Sequence, residues 1–430
     1  MRDFPQLKHP KPEKGYVQRA SYSALFLTAL IGLFAVGVIF FGQFINTRKS
    51  DPVPPPALPI QHTAASRAFN PPIATSSASS EQPANSIVPA ASDFSGFGIS
   101  IGDDFTGLNN DQLTTRLDHI VSLGITWLRF DADWSYIQPR TSTDFDWRTL
   151  DSIINAAHSK HLKVLPILDF TPRWARSSDC ASNACAPSDP AQFAQFAAAA
   201  AARYAPLGVH TWEIWNEPNI NRFWQPAPDA AAYAKLLTAA YASIKKVDPA
   251  ATVISGGLAS ADTHNGNIAP IEFLNSMYQN GAAGSFDALG FHPYSFPVPA
   301  SYPKPWNAWQ QMANTNPSLL SVMEKHGDGA KKIWITEYGA PTNGPGAGAD
   351  ENSYNLSQGP DHVSEALQAY IIVDAVKEIQ KASWAGPLFW YTYVDRGVDP
   401  STNENFFGLL RYDGSPKPSF DALKQLLGTH

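Results

Sequence analysis

From Phe94 onward the chain alternates eight times between a short apolar run and a longer amphipathic stretch, and no other feature narrows its fold as much. A run of four to eight apolar residues bounded by turn formers reads as a strand buried on both faces. The strands are read at Phe97–Ile101, Thr126–Phe130, Lys163–Leu168, Val209–Trp215, Thr252–Ser255, Phe286–Phe291, Lys332–Thr336 and Leu388–Thr392. Helical patterns follow at Asp111–Leu123, Trp147–His158, Asp189–Tyr204, Asp229–Val247, Ile271–Gln279, Trp309–Lys325, His362–Lys381 and Phe420–Leu427. Eight strand–helix units is the count of a (β/α)8 TIM barrel, an α/β fold. An open doubly wound sheet would need a glycine-rich phosphate loop at its switch point. The glycine cluster Gly344-Pro-Gly-Ala-Gly348 runs into Asp350-Glu-Asn-Ser353 and not directly into a helix. It reads as a flexible loop beside the site, a candidate lid.

What precedes the barrel has a different composition. Residues 1–21 carry Arg2, Lys8, Lys11, Lys14 and Arg19, and Tyr22–Ile45 carries no charge at all. That apolar stretch is long enough to cross a bilayer as one helix. The positive-inside rule then makes residues 1–21 a cytoplasmic tail and puts everything after Ile45 outside, in the periplasm or beyond the cell. A cleaved signal peptide is the rival reading, but its apolar core is usually shorter and ends at small residues. Here Asn46-Thr-Arg-Lys49 follows directly, which favours an uncleaved single-pass transmembrane helix as membrane anchor. Residues 46–93 are rich in Pro, Ala and Ser, with Pro54-Pro-Pro56 and Ser76-Ser-Ala-Ser-Ser80. Such a segment cannot bury a core and reads as a disordered linker that tethers the domain at 94–430.

Charge and cysteine content exclude some classes. The formal net charge is -7 and the pI about 5.9, without the basic face of a nucleic-acid binder. The two cysteines, Cys180 and Cys185, share one loop; outside the cytoplasm they read as a local disulfide, with two free thiols as the alternative. No His or Cys pair stands near them at zinc-ligand spacing, and no metal or cofactor is expected.

A barrel of this kind carries its site at the C-terminal ends of the strands. Those ends present Arg129 and Asp131, then Asp169, Asn216 and Glu217, His292 and Tyr294, Glu337, and Trp390 with Asp395. Glu217 and Glu337 leave strands four and seven and would face each other. Glycoside hydrolysis needs such a pair, one carboxyl protonated for the leaving oxygen and one ionised. Pro218 biases Glu217 away from helical backbone angles. Period two puts Glu213 on the face of Trp215 and Glu217, one layer deeper, where it reads as structural. Asp169 and Asp395 read as loop-fixing carboxylates. Trp134, Trp174 and Trp224, in loops after strands two, three and four, are candidates to line a sugar cleft, since indoles suit flat apolar sugar faces.

Trp212-Glu-Ile-Trp-Asn-Glu-Pro-Asn219, the following Phe223-Trp224, and Thr336-Glu-Tyr-Gly339 resemble the acid/base and nucleophile motifs of retaining (β/α)8 glycosidases, glycoside hydrolase clan A. Within that clan the match looks closest to family 39 and to glycosidases encoded with exopolysaccharide biosynthesis. The resemblance spans Phe94 to His430. It implies Glu217 as general acid/base and Glu337 as nucleophile, with Asn216 on the 2-hydroxyl of the reacting sugar. It further implies Arg129 and Tyr294 on the nucleophile, His292 lining the same subsite and Trp390 stacked beneath the sugar. A retaining mechanism sets the two carboxyls about 5–5.5 Å apart. The expectation is an O-glycosyl hydrolase acting on a polysaccharide or oligosaccharide, with no nucleic-acid partner. A transglycosylase using the same residues and a non-catalytic glycan-binding barrel are the alternatives, although the latter would be expected to lack a catalytic Glu. A metal-dependent deacetylase would need a His/Asp cluster, and none stands at ligand spacing. The sugar, its linkage and endo or exo action stay open.

Overall fold

The computed structural model describes residues 96–428. The tail, the transmembrane anchor and the linker read at 1–21, 22–45 and 46–93 lie outside them. Among the described residues no helix is long and apolar enough to cross a membrane.

Eight parallel strands close into a barrel: β1 (Phe97–Ser100), β2 (Trp127–Asp133), β3 (Lys163–Asp169), β4 (Thr211–Asn216), β5 (Thr252–Ala259), β6 (Ala288–His292), β7 (Lys332–Tyr338) and β10 (Ala385–Tyr391). The order around it is β1-β10-β7-β6-β5-β4-β3-β2. Two two-residue strands, β8 (Gly348–Ala349) and β9 (His362–Val363), pair with each other apart from it. The helices are α1 (Asn110–Ser122), α2 (Trp134–Ile137), α3 (Arg148–Ser159), α4 (Pro190–Tyr204), α5 (Ala230–Val247), α6 (Pro270–Gln279), α7 (Ala308–Ala313), α8 (Leu319–Lys325), α9 (Glu365–Lys381) and α10 (Pro418–Leu427).

Local chemistry sets the boundaries. Asp189 accepts from the Ala191 N–H, and Pro190 stands where a missing N–H costs nothing, so α4 starts there. Asp229 caps α5, which buries Tyr233, Leu236, Leu237, Ala240 and Ile244 at helical spacing. The helix expected over 309–325 is two helices. Pro317 offers no N–H to continue α7, and Ser318 caps a fresh start at Leu319. The one expected from His362 starts at Glu365 instead, because Ser364 is its N-cap. His362 and Val363 are thereby left to pair with Gly348 and Ala349. That pairing, with a 2.9 Å bond from the Gly346 N–H to Asp361, ties down the glycine cluster read as a flexible lid. The cluster does not line the cleft described below.

Inside the barrel the side chains form layers. Trp127, Leu165, Ile254, Ala288 and Phe389, with Trp334 against them, make an apolar plug. Two residues further along β2 the layer is polar and holds Arg129; two more bring Asp131 to the cleft. Outside the barrel, a larger core fills the space between strands and helices.

Candidate active site

Arg129, with no exposed surface, organises the polar layer. Its Nε and Nη2 donate to the two oxygens of Glu213 at 2.6 and 3.1 Å, a fork that fits a carboxylate. Nη1 donates to Ser100 Oγ at 2.9 Å and to Glu337 Oε1 at 2.5 Å, and Nη2 donates to Asn216 Oδ1 at 3.0 Å. Burial pulls the guanidinium pKa down, but the charges of Glu213 and Glu337 and their hydrogen bonds more than reverse it. Glu213 also accepts from the Gly257 N–H at 2.9 Å and from Thr336 Oγ1 at 3.1 Å. Gly257 is needed there, since a Cβ would stand 2.1 Å from His292 Nε2.

Backbone irregularities aim the two carboxylates. At the end of β4, Trp215 has φ +72°, and Glu217, just past the strand, has φ +44°, conformations costing on the order of 1–3 kcal/mol each in such residues. Glu217 thus avoids the right-handed helical region, as the following proline predicts, by going left-handed. Trp215 departs from the expected face. Its turned backbone sends the indole outward onto Phe193 and Trp224, and its Nε1 donates to the Phe223 carbonyl at 2.7 Å. Glu213 keeps the inward face. On β7, the register against β10 slips between the Ile335–Leu388 and Tyr338–Trp390 pairs, which puts an extra residue on β7. Such a bulge re-aims side chains. Glu337 enters the cleft, while Tyr338 turns into the outer core.

The outcome is a tight cluster. One ligand-capable atom each from Glu217, His292 and Glu337 lies within 4.8 Å of the others. The sequence shows no such grouping, because three separate strand ends supply it. Arg129 already stands against Glu337 as its counter-charge.

Glu337 accepts from Arg129 on one oxygen and from Tyr294 OH, at 2.8 Å, on the other. Burial pushes its carboxyl up, but the charges of His292 and Arg129 and the bonds from Tyr294 and Arg129 outweigh that and hold it below the ordinary 4.5. Glu217 Oε1 lies 2.9 Å from His292 Nδ1, and His292 Nε2 lies 3.0 Å from Thr336 Oγ1. Thr336 has one hydroxyl proton and gives it to Glu213. Its oxygen is therefore placed to accept from His292 Nε2–H, with Nδ1 turned to Glu217. His292 is fully buried beneath Glu217 and does not itself line the cleft.

Above this cluster opens a cleft of about 900 Å³. Asn216, Glu217, Tyr294 and Glu337 line it, and its aromatic surfaces include Phe170, Phe223, Phe296, Tyr391 and Phe407. None of the four tryptophans expected at a sugar does. Trp390 is fully buried against Tyr338, because Phe389 and Tyr391 take the inward positions of β10 and the residue between them must face the helices. Trp134 is buried between Trp174 and Phe196, its Nε1 held by Gln138 at 2.6 Å. Trp174 donates to the Gln138 carbonyl at 2.7 Å, and Trp224 packs on Trp215 and Tyr233. These loop indoles fasten βα loops to the helix layer. Tyr391, visible at a strand end, borders the cleft instead of Trp390. Cys180 and Cys185 form a disulfide in the loop that brings Asn183 to the cleft. Asp395 fixes a loop through the Gly408 N–H and Lys417 Nζ, at 2.8 and 2.7 Å. Asp169 does not: neither of its buried oxygens has a hydrogen-bond partner.

Comparisons with known proteins follow the same lines. The chain resembles a family 39 glycoside hydrolase from the gut symbiont Bacteroides cellulosilyticus WH2, with 22% identity over 78% of this chain and a TM-score of 0.59. It spans 64% of that protein's length. A monomeric beta-xylosidase from Caulobacter crescentus CB15 matches at 20% identity and TM-score 0.58, over 78% of this chain and 69% of the other. GH5_18 from Streptomyces cattleya, in complex with GlcNAc, matches at 17% identity and TM-score 0.55, over 78% and 80%. At these identities the likeness is one of fold. No curated protein sequence matches. The family model described as Cellulase (glycosyl hydrolase family 5) matches residues 89–385. With that model covering most of its length, the chain belongs to the cellulase family, glycosyl hydrolase family 5, and is an O-glycosyl hydrolase.

Proposed function

We propose that the chain is a membrane-anchored, retaining glycoside hydrolase that cleaves a polysaccharide or oligosaccharide by double displacement. The observation that carries this is the spacing of Glu217 and Glu337, whose oxygens come within 4.8 Å of each other. That suits the short separation of retaining enzymes and leaves no room for the water an inverting enzyme places between its carboxyls. Glu337, held ionised by Arg129 and Tyr294, attacks the anomeric carbon. Glu217, oriented by His292, delivers a proton to the leaving oxygen. In the second half Glu217 takes a proton from water, which releases the sugar from Glu337 with its original configuration. The Oδ1 of Asn216 is occupied by Arg129, so its amide N–H end is free for the 2-hydroxyl. Tyr391 is the aromatic floor beneath the reacting ring. The uncharged Tyr22–Ile45 segment would hold this domain outside the cytoplasm through the linker.

Proton NMR of the first-formed product tests the mechanism on any glycoside that a polysaccharide panel shows to be cleaved. Retention is expected, and inversion would overturn the assignment of Glu337 as nucleophile. Turnover that survives Glu217→Ala would remove that residue from the acid/base role.

A further inference from the structure

We propose that the wall of the cleft built by β2 and β3 recognises the ammonium group of an amino sugar. The inference rests on the glycoside hydrolase reading and names its substrate class. Asp131 and Asp133 end β2, Asp169 ends β3, and the register sets Asp133 beside Asp169. All three line the cleft. Asp169 is 1% exposed, and both its oxygens lack any hydrogen-bond partner. A buried carboxylate normally costs too much to leave unpaired. Glu337, Glu217 and Asp133 each have a hydrogen-bond partner, whereas Asp169 has none on either oxygen and borders space that a substrate would fill.

Three of the arginines in reach are committed elsewhere. Arg129 is spent on Glu213 and Glu337, Arg396 pairs with Asp104, and Arg222 with Glu404. Arg176 is not: its buried Nε and Nη1 have no hydrogen-bond partner, and it acts on Asp133 through space alone. Eight lining residues are carboxylates against two arginines, so the cleft selects for positive charge and against uronates or sulfated sugars. A bare metal ion fits less well. Among the described residues the only three-ligand grouping within 4.8 Å is Glu217, His292 and Glu337, so the aspartates are too spread for one ion's shell. An ammonium group on a sugar ring has three divergent N–H donors and suits carboxylates spread around it. Burial drives the Asp169 carboxyl toward its neutral form, and the like charges of Asp131 and Asp133 add to this. An arriving ammonium offsets both penalties, which an N-acetyl or hydroxyl group cannot do.

The test uses the full chain carrying Glu337→Gln to stop turnover. Tetramers of glucosamine and of galactosamine are titrated calorimetrically, each beside its N-acetylated form. The free amine of at least one pair should bind about tenfold or more tighter, as expected of a charge-assisted bond. Asp169→Asn should bring that ratio close to one, and 0.5 M NaCl should weaken only the amine forms, on the order expected for screened ion pairs. Should Asp169→Asn fail to fold, Asp131→Asn and the salt titration carry the same discrimination. Equal or tighter binding of both acetylated forms, or no binding by any, overturns the proposal. If the unsubstituted chain still cleaves a neutral glycoside that Glu337→Gln does not, only the amine site falls. If Glu337→Gln retains turnover while the amine preference holds, the nucleophile falls and the recognition site stands.

Discussion

Two walls of one cleft solve the problem of burying carboxylates in opposite ways. On the β4–β7 wall, each oxygen of Glu213 and Glu337 has at least one donor, and Arg129 serves both groups. On the β2–β3 wall, Asp169 has none, and Arg129 acts on Asp131 only through space. The difference teaches what each wall is prepared for. A fully bonded carboxylate is fixed in aim and ionisation before the substrate arrives, which suits a group that must react. An unbonded one leaves its hydrogen-bonding capacity to the ligand, which suits a group that must recognise.

The contrast breaks most visibly at Glu337. Glu337→Gln should lower kcat on the order of 10⁴-fold or more on any substrate the chain cleaves, since it removes the reacting atom. A residual rate within tenfold would make the β4–β7 wall mere scaffold. Arg129→Met comes next. It takes the shared guanidinium away from Glu213 and leaves Glu337 with His292 alone, and losing one partner of such a network costs roughly 3–5 kcal/mol. Urea denaturation of Arg129→Met should show this as a lower midpoint. An unchanged midpoint would mean that water replaces the guanidinium, and that the wall is less closed than its geometry indicates.

The fold was legible because a barrel writes its strand count into the period of the sequence, and each of the eight runs became a strand. The breaks at Pro317 and Ser364 are also written in the sequence, as a proline and an N-cap that interrupt the apolar pattern. Glu217 and Glu337 were legible because both follow apolar strands and stand in long motifs. The aromatic platform was not. Trp390 and Tyr391 are adjacent, and only the register of β10 against the interior plug decides which faces in. Trp215 eluded strict alternation because a positive φ cannot be read from a tryptophan. The role of Asp169 was hidden for a different reason. A partner that is absent leaves no mark on the sequence, so a carboxylate at a strand end looks the same whether it fixes a loop or waits for a ligand.

A smaller change sharpens the comparison within the bonded wall. Tyr294→Phe removes one charge-assisted bond from Glu337, of about 1.5–3 kcal/mol, and should cost roughly tenfold to a hundredfold in kcat/KM. The bond favours the ionised form, so its loss raises the Glu337 pKa. The acid limb of the kcat/KM profile should therefore move to higher pH. A profile that only drops in height would mean that Tyr294 positions the sugar and not the carboxylate.

The smallest effect separates the walls by their response to pH. Glu337 is held below its ordinary pKa, so its contribution to stability is present above the unfolded value and is lost as pH falls through the folded one. The opposite wall runs the other way. Burial raises Asp133 to about 6 and Asp131 to about 7, with Arg129 opposing the latter and neighbouring carboxylates adding to it. Asp169 is raised as well. Protonated aspartates favour the folded chain, so their contribution is complete below the unfolded value of about 3.9 and is lost as pH rises through the folded ones. Thermal unfolding of the unliganded chain should therefore show Tm declining between about pH 4 and pH 7. Asp169→Asn, which cannot ionise, should flatten that decline and gain roughly 2 °C at the upper end. An identical slope in the variant would mean that Asp169 is already neutralised by a bound cation or water, and the two walls would then differ less than their hydrogen bonds indicate.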